Sequence, residues 1–190
     1  MVDKVEGAGR AMDNNSTFDA LTGKDNYFED FEVGAVYEHA RGKTVGEIDN
    51  VLITNLVLNT AQVHFNEDLA GRLAQKQRVT FGGVTASLVI GLATQDTGEN
   101  ALAELGLDKV RFKAPVFHGD TLYALTEVLA GEAFDPAKAG RPDLAQLDPS
   151  QVGVLRFRHQ GVNQRGEVVF EAERTVLLKR RSFKLARAAR

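Results

Sequence analysis

A chain of 190 residues, 43% hydrophobic and 26% charged, can core one domain and is too short for two of ordinary size. It has no cysteine, which excludes disulfides, thiolate metal ligands and a cysteine nucleophile, and points to a reducing, cytoplasmic setting. With 26 acidic against 23 basic residues it also lacks the basic excess of a nucleic-acid protein.

Residues 1–26 are rich in Gly, Asn, Ser and Asp and read as a flexible leader, without an apolar stretch of signal-peptide length. The longest apolar run, Ala86 to Ala93, falls well short of the roughly 20 residues that span a bilayer. A soluble protein with no membrane or nucleic-acid partner is expected. Folding signals begin at Tyr27. Val33 to His39 reads as a turn feeding a short strand, and a helix follows, with Asp49 as its expected N-cap and Val51, Leu52, Leu56 and Leu58 packed on a core. Asn66-Glu67-Asp68 opens a second short helix ending near Leu73, and His64 falls between the two.

Gly82-Gly83 introduces a helix over 84–94 with almost no polar face. Such a helix must be enclosed, and a sheet wrapped around it is the simplest container. Strands are expected over 110–116, 121–129, 152–162 and 167–178. In the last of these Val168, Phe170, Ala172, Val176 and Leu178 alternate with Glu171, Glu173 and Thr175, so one face is buried and the other wetter. Asn163-Gln164-Arg165-Gly166 joins the final two as an antiparallel hairpin. Residues 131–151 hold three of the four prolines and read as an inserted surface loop; 181–190 form a basic tail. One α+β domain over 27–180 follows.

The segments Phe81-Gly82-Gly83-Val84-Thr85-Ala86-Ser87-Leu88 and Arg111-Phe112-Lys113-Ala114-Pro115-Val116-Phe117-His118-Gly119-Asp120-Thr121-Leu122 resemble the MaoC-like (R)-specific enoyl-CoA hydratases and dehydratases. That resemblance runs from about Phe28 to Leu178. It implies a hot-dog fold, an antiparallel sheet around a central helix, and a homodimer or higher homo-oligomer. The hydratase pattern Asp-x-Asn-Pro-x-His, with Ala or Ser six residues on, reads here Asn59-Thr60-Ala61-Gln62-Val63-His64 with Ala70. Asn59 thus stands in place of the family Asp. The sequence looks most similar to single-domain members of the itaconyl- or mesaconyl-CoA hydratase type, which implies a branched or dicarboxylic short-chain acyl-CoA.

Hydrating a 2-enoyl thioester needs water activated for attack at C3, a proton for C2 and stabilisation of the enolate oxygen. On the resemblance His64 transfers protons, Asn59 positions water, the N–H groups at Gly82 and Gly83 hold the thioester oxygen, and Ser87 lines the acyl site. Each has a plainer reading. His64 can be a loop residue, Asn59 can end a helix, the two glycines can serve close packing, and Ser87 can be a small residue in a tight helix. His39, His118 and His159 read as structural or exposed rather than catalytic, and Asp120 as a turn residue. No metal or other cofactor is implied, with coenzyme A entering as part of the substrate. Arg111, Lys113, Arg156, Arg158 and the start of the tail are the candidates for its phosphates. A hot-dog thioesterase and a non-catalytic acyl-CoA-binding or partner subunit are the alternatives.

Overall fold

The computed structural model describes residues 26–184; the leader up to residue 25 and the tail from residue 185 lie outside the described residues. Five antiparallel strands, β1 (Val36–Thr44), β2 (Ala101–Phe112), β3 (Thr121–Ala133), β4 (Val152–Asn163) and β5 (Val168–Lys179), form one sheet in the order β1-β3-β4-β5-β2. The long helix α3 (Gly82–Thr97) packs against β1, β3, β4 and β5. Two shorter helices, α1 (Glu47–Leu56) and α2 (Glu67–Arg72), precede it. The architecture is the α+β hot-dog arrangement.

Alternation in the strands produces the core. Leu122, Ala124, Phe170 and Ala172 meet Val89 and Ala93 of α3, all of them buried. Contact is so close that a Cβ on Gly161 of β4 would stand 2.4 Å from Val89 Cγ2, so this position needs bare backbone. Beyond the helix, Phe28, Phe31 and Tyr37 close the remaining inner face over Leu155, Phe157 and Val176. The inserted segment after β3 is more than a surface loop. It buries Phe134 and Leu144 over Val152 and Leu177 and so covers an end of the opposite sheet face.

Between the two inner clusters runs a buried polar row. His39 Nδ1 lies 2.6 Å from an Asp96 oxygen, His39 Nε2 lies 2.7 Å from Thr126 Oγ1, and that hydroxyl lies 2.8 Å from His159 Nδ1. The histidines of β1 and β4 are therefore structural, as expected. Arg174, on the apolar face of β5, is buried by pairing with Glu104 and bonding Thr97 Oγ1 at 3.3 Å.

Four local expectations are corrected. The first strand after α3 begins at Ala101 rather than 110 and ends at Phe112. Its Ala-Leu-Ala-Glu-Leu start has the residue preferences of a helix, and pairing with β5 overrides them. Asp49 is not the N-cap of α1: Gly46 is, and Asp49 three residues on accepts the Gly46 N–H at 2.8 Å. The inward residues of α1 are Asn50 and Thr54, while Leu52, Leu56 and Leu58 are exposed. Lastly, α3 is not fully enclosed, since Ser87 and Gly91 are exposed.

Candidate active site

The excursion from α1 through α2 carries His64. Asn66 caps α2 by accepting the Leu69 N–H at 3.0 Å, and Arg78 pairs with both Glu47 of α1 and Glu67 of α2. The chain then pairs Val79 with Phe117, donates the Thr80 N–H to the Val116 carbonyl at 2.8 Å, and enters α3. His64 closes a single 3-10 turn, Gln62–His64, in this frame.

Its ring is oriented by one bond. His64 Nδ1 lies 2.7 Å from the carbonyl oxygen of Val79, which can only accept, so Nδ1 carries the hydrogen. In the neutral ring Nε2 is then a bare base. The Phe81 ring meets the imidazole edge-on, with centroids 5.6 Å apart.

His64 borders a cavity of about 470 Å³ whose other walls include Thr80, Phe81, Gly82, Gly83, Thr85, Phe112, Lys113 and Pro115. Among the described residues that line it, Lys113 carries the fixed charge and there is no carboxylate. The start of α3 supplies its donors. Val84 and Thr85 give their N–H groups to the Phe81 carbonyl, and Phe81 gives its own to the side chain of Asn50. The Gly82 and Gly83 N–H groups are left without a partner among the described residues. Both glycines also answer a steric need, since a Cβ would stand 2.9 Å from the Phe112 ring at Gly82 and 2.4 Å from the Phe81 ring at Gly83.

Of the residues expected at the site, His64, Gly82 and Gly83 come together; Asn59 and Ser87 do not line the cavity. Asn59 is half-buried in the turn after α1. Its Oδ1 accepts the Ala61 N–H at 3.0 Å and its own N–H donates to the Thr54 carbonyl at 3.0 Å. The preceding Leu58 has φ 58°, a left-handed conformation costly for a leucine. Ser87 is exposed on α3.

Among the basic residues considered for coenzyme A, Lys113 lines the cavity. Arg158 pairs with Glu127 and Glu173, Arg180 stacks on Phe28 with 4.1 Å to the ring centroid, and Arg181 pairs with Asp30. Two lining or supporting groups escaped sequence reasoning. Thr80 is buried in the cavity wall with its hydroxyl unbonded, and Asn50 lies fully buried behind it. His118 contacts Asn50, and burial together with the nearby Arg78 guanidinium pushes its pKa down against the opposing pull of Glu47 and Glu67. Among the described residues no three His, Cys, Asp or Glu side chains converge as metal ligands, and no helix is long and apolar enough to cross a membrane.

Residues 9–180 match the family described as mesaconyl-CoA hydratase, starting within the stretch read as a leader. A β-methylmalyl-CoA dehydratase of Chloroflexus aurantiacus is 32% identical over 169 residues, which span 85% of this chain and 47% of the relative. An (R)-specific enoyl-CoA hydratase of Rhodospirillum rubrum is 35% identical over 104 residues, 54% of this chain and 69% of that one. Among solved structures, a MaoC domain protein dehydratase from Chloroflexus aurantiacus aligns at a TM-score of 0.73 and 27% identity, over 89% of this chain and 44% of the other. The chain spans under half the length of the β-methylmalyl-CoA dehydratase and of the mesaconyl-CoA hydratases it matches. With the family match running through nearly the whole sequence and the sheet and helix arranged as in the MaoC domain, the chain belongs to the mesaconyl-CoA hydratase family.

Proposed function

We propose that the chain catalyses the reversible hydration of a 2-enoyl-CoA to a 3-hydroxyacyl-CoA, as a hydro-lyase acting on a short branched acyl group that bears a second carboxylate. One observation carries this reading: a histidine with a bare Nε2 and the two unpartnered N–H groups of Gly82 and Gly83 border the same cavity. His64 Nε2 takes a proton from water as the water oxygen bonds to C3. The C2–C3 π electrons move toward the thioester, whose oxygen is held by Gly82 and Gly83 as it gains charge. The proton on His64 then passes to C2, which returns the base and closes the balance of one water added.

With one base serving both transfers, hydrogen and hydroxyl arrive on the same face of the double bond. Asn59 in this scheme acts by ending α1. The lone cation at the wall, Lys113, favours a substrate with a free carboxylate, in keeping with the names of the β-methylmalyl- and mesaconyl-CoA relatives. The exposed Leu107 and Phe112 on the free edge strand β2 support pairing of two copies, which sedimentation or light scattering will test.

Incubation with mesaconyl-CoA and crotonyl-CoA, following enoyl absorbance and free thiol separately, tests the function. Hydration consumes the enoyl signal and releases no thiol. Thiol release would make the chain a thioesterase, and binding without either change a non-catalytic partner. Reaction in D₂O should place deuterium and hydroxyl on one face.

A further inference from the structure

Asn50 sits at the meeting point of four segments and is completely buried. Its Oδ1 accepts the Phe81 N–H at 2.9 Å and the Thr54 hydroxyl at 3.3 Å; its Nδ2 donates to the His64 carbonyl at 3.1 Å and to His118 Nε2 at 3.0 Å. The amide's orientation follows from chemistry alone. A backbone N–H only donates and a backbone carbonyl only accepts, so Phe81 must face the oxygen and His64 the nitrogen. His118 Nε2 therefore meets an N–H and must itself be bare.

Two consequences follow. One side chain fixes the residue that carries the base relative to the start of the helix that carries the Gly82 and Gly83 donors. A proton on His118 Nε2 would set N–H against N–H, and the amide cannot turn to relieve this without breaking its bonds to both His64 and Phe81. The charged groups facing His118 are Glu47 from α1, Glu67 from α2 and Arg78 from the segment leading into α3.

Building on the hydration reading above, we propose that Asn50 is a positioning residue for that reaction, holding His64 and the N-terminus of α3 in register, and that it does so only while His118 is neutral. No substrate need touch it. Its effect is on the geometry of the reacting groups, so it should appear in kcat and leave substrate binding largely intact.

The test has an arm independent of turnover. The His64 ring resonances of the whole protein, followed by NMR from pH 8 to pH 4.5, should show an inflection coinciding with that of the His118 resonances, and His118→Gln should remove it. Wild-type His64 resonances that do not follow His118, or an inflection that survives His118→Gln, overturn the coupling. With mesaconyl-CoA, Asn50→Ala should lower kcat about 10- to 100-fold with KM within about threefold. Asn50→Asp, whose carboxylate welcomes a charged His118, should recover relative to wild type as pH falls. A folded Asn50→Ala with wild-type kcat overturns the positioning role. A wild type with no hydratase turnover removes the reaction but leaves the coupling to be decided by the resonances.

Discussion

The imidazole of His64 gives its Nδ1 hydrogen to the carbonyl of Val79 at 2.7 Å, so the nitrogen left for chemistry is Nε2. Val79 is one residue before Thr80 and three before Gly82, so the strand-like approach to α3 both anchors the imidazole and leads into Gly82 and Gly83. An asparagine at residue 64 can place its amide N–H where Nδ1 stands and keep the bond to Val79, while offering nothing in place of Nε2. His64→Asn should accordingly fold, bind acyl-CoA and lose about 10²- to 10⁴-fold in kcat. Steady-state kinetics beside calorimetric titration with the hydroxyacyl product will separate these. A variant with intact kcat would return His64 to a loop residue.

Much of this was legible from local pattern. The alternation of β4 and β5 required a half-buried antiparallel sheet, which is present, whereas the unrelieved apolar character of Val84 to Ala93 called for an enclosed helix and α3 leaves Ser87 and Gly91 exposed. His64, Gly82 and Gly83 were singled out by the resemblance to the MaoC-like hydratases, and they border one cavity. Asn50 did not, because its partners Phe81 and His118 lie 31 and 68 residues away, and a buried amide among apolar neighbours looks in sequence like any helical surface residue. The same cause hid the facing of α1. Val51, Leu52 and Leu56 recur at helical spacing, so burial was assigned to them, whereas the inward face is spent on hydrogen bonds. The early start of β2 was hidden by residue preferences that only pairing with β5 reverses.

Leu58 offers a stability test of the turn that carries Asn59. Its φ of 58° suits glycine, and its side chain is 84% exposed, so replacement forfeits little buried area. Relief of the left-handed strain, less the extra chain entropy of glycine, should leave Leu58→Gly more stable by about 0.5–1 kcal/mol, or about 1–4 °C in Tm. Calorimetry reads this directly. A lower Tm would show that the leucine side chain packs on something in solution, such as a second copy.

Lys113 separates recognition of the acyl group from recognition of coenzyme A. Mesaconyl-CoA carries a free carboxylate and crotonyl-CoA does not, while their coenzyme portions are identical. If the ammonium at the cavity wall meets that carboxylate, Lys113→Met should reduce kcat/KM for mesaconyl-CoA about tenfold more than for crotonyl-CoA, the lower range for a charged hydrogen bond at a solvent-open position. Equal losses on both substrates would assign the lysine to a phosphate instead.

The buried polar row makes the fold sensitive to acid in a window set by His159. His39 Nδ1 meets Asp96, Thr126 Oγ1 lies between His39 Nε2 and His159 Nδ1, and His159 Nε2 has no partner among the described residues. A proton there would create a buried, unmet cation. Burial, reinforced by the Arg174 guanidinium and His39, lowers the His159 pKa from its ordinary 6.5 to about 3. Between those values the unfolded chain binds a proton that the folded chain refuses, so stability is complete above about pH 6.5 and falls as the solution is acidified toward pH 3. The limiting slope for one group is about 1.4 kcal/mol per pH unit. Urea unfolding at pH 7, 6 and 5 should show wild-type stability dropping about 1 kcal/mol per unit more steeply than His159→Gln. That variant keeps a donor for Thr126 and has nothing to titrate, while every surface carboxylate is common to both proteins and cancels. Parallel slopes would mean that His159 takes up its proton in the folded state, and that the row opens to water.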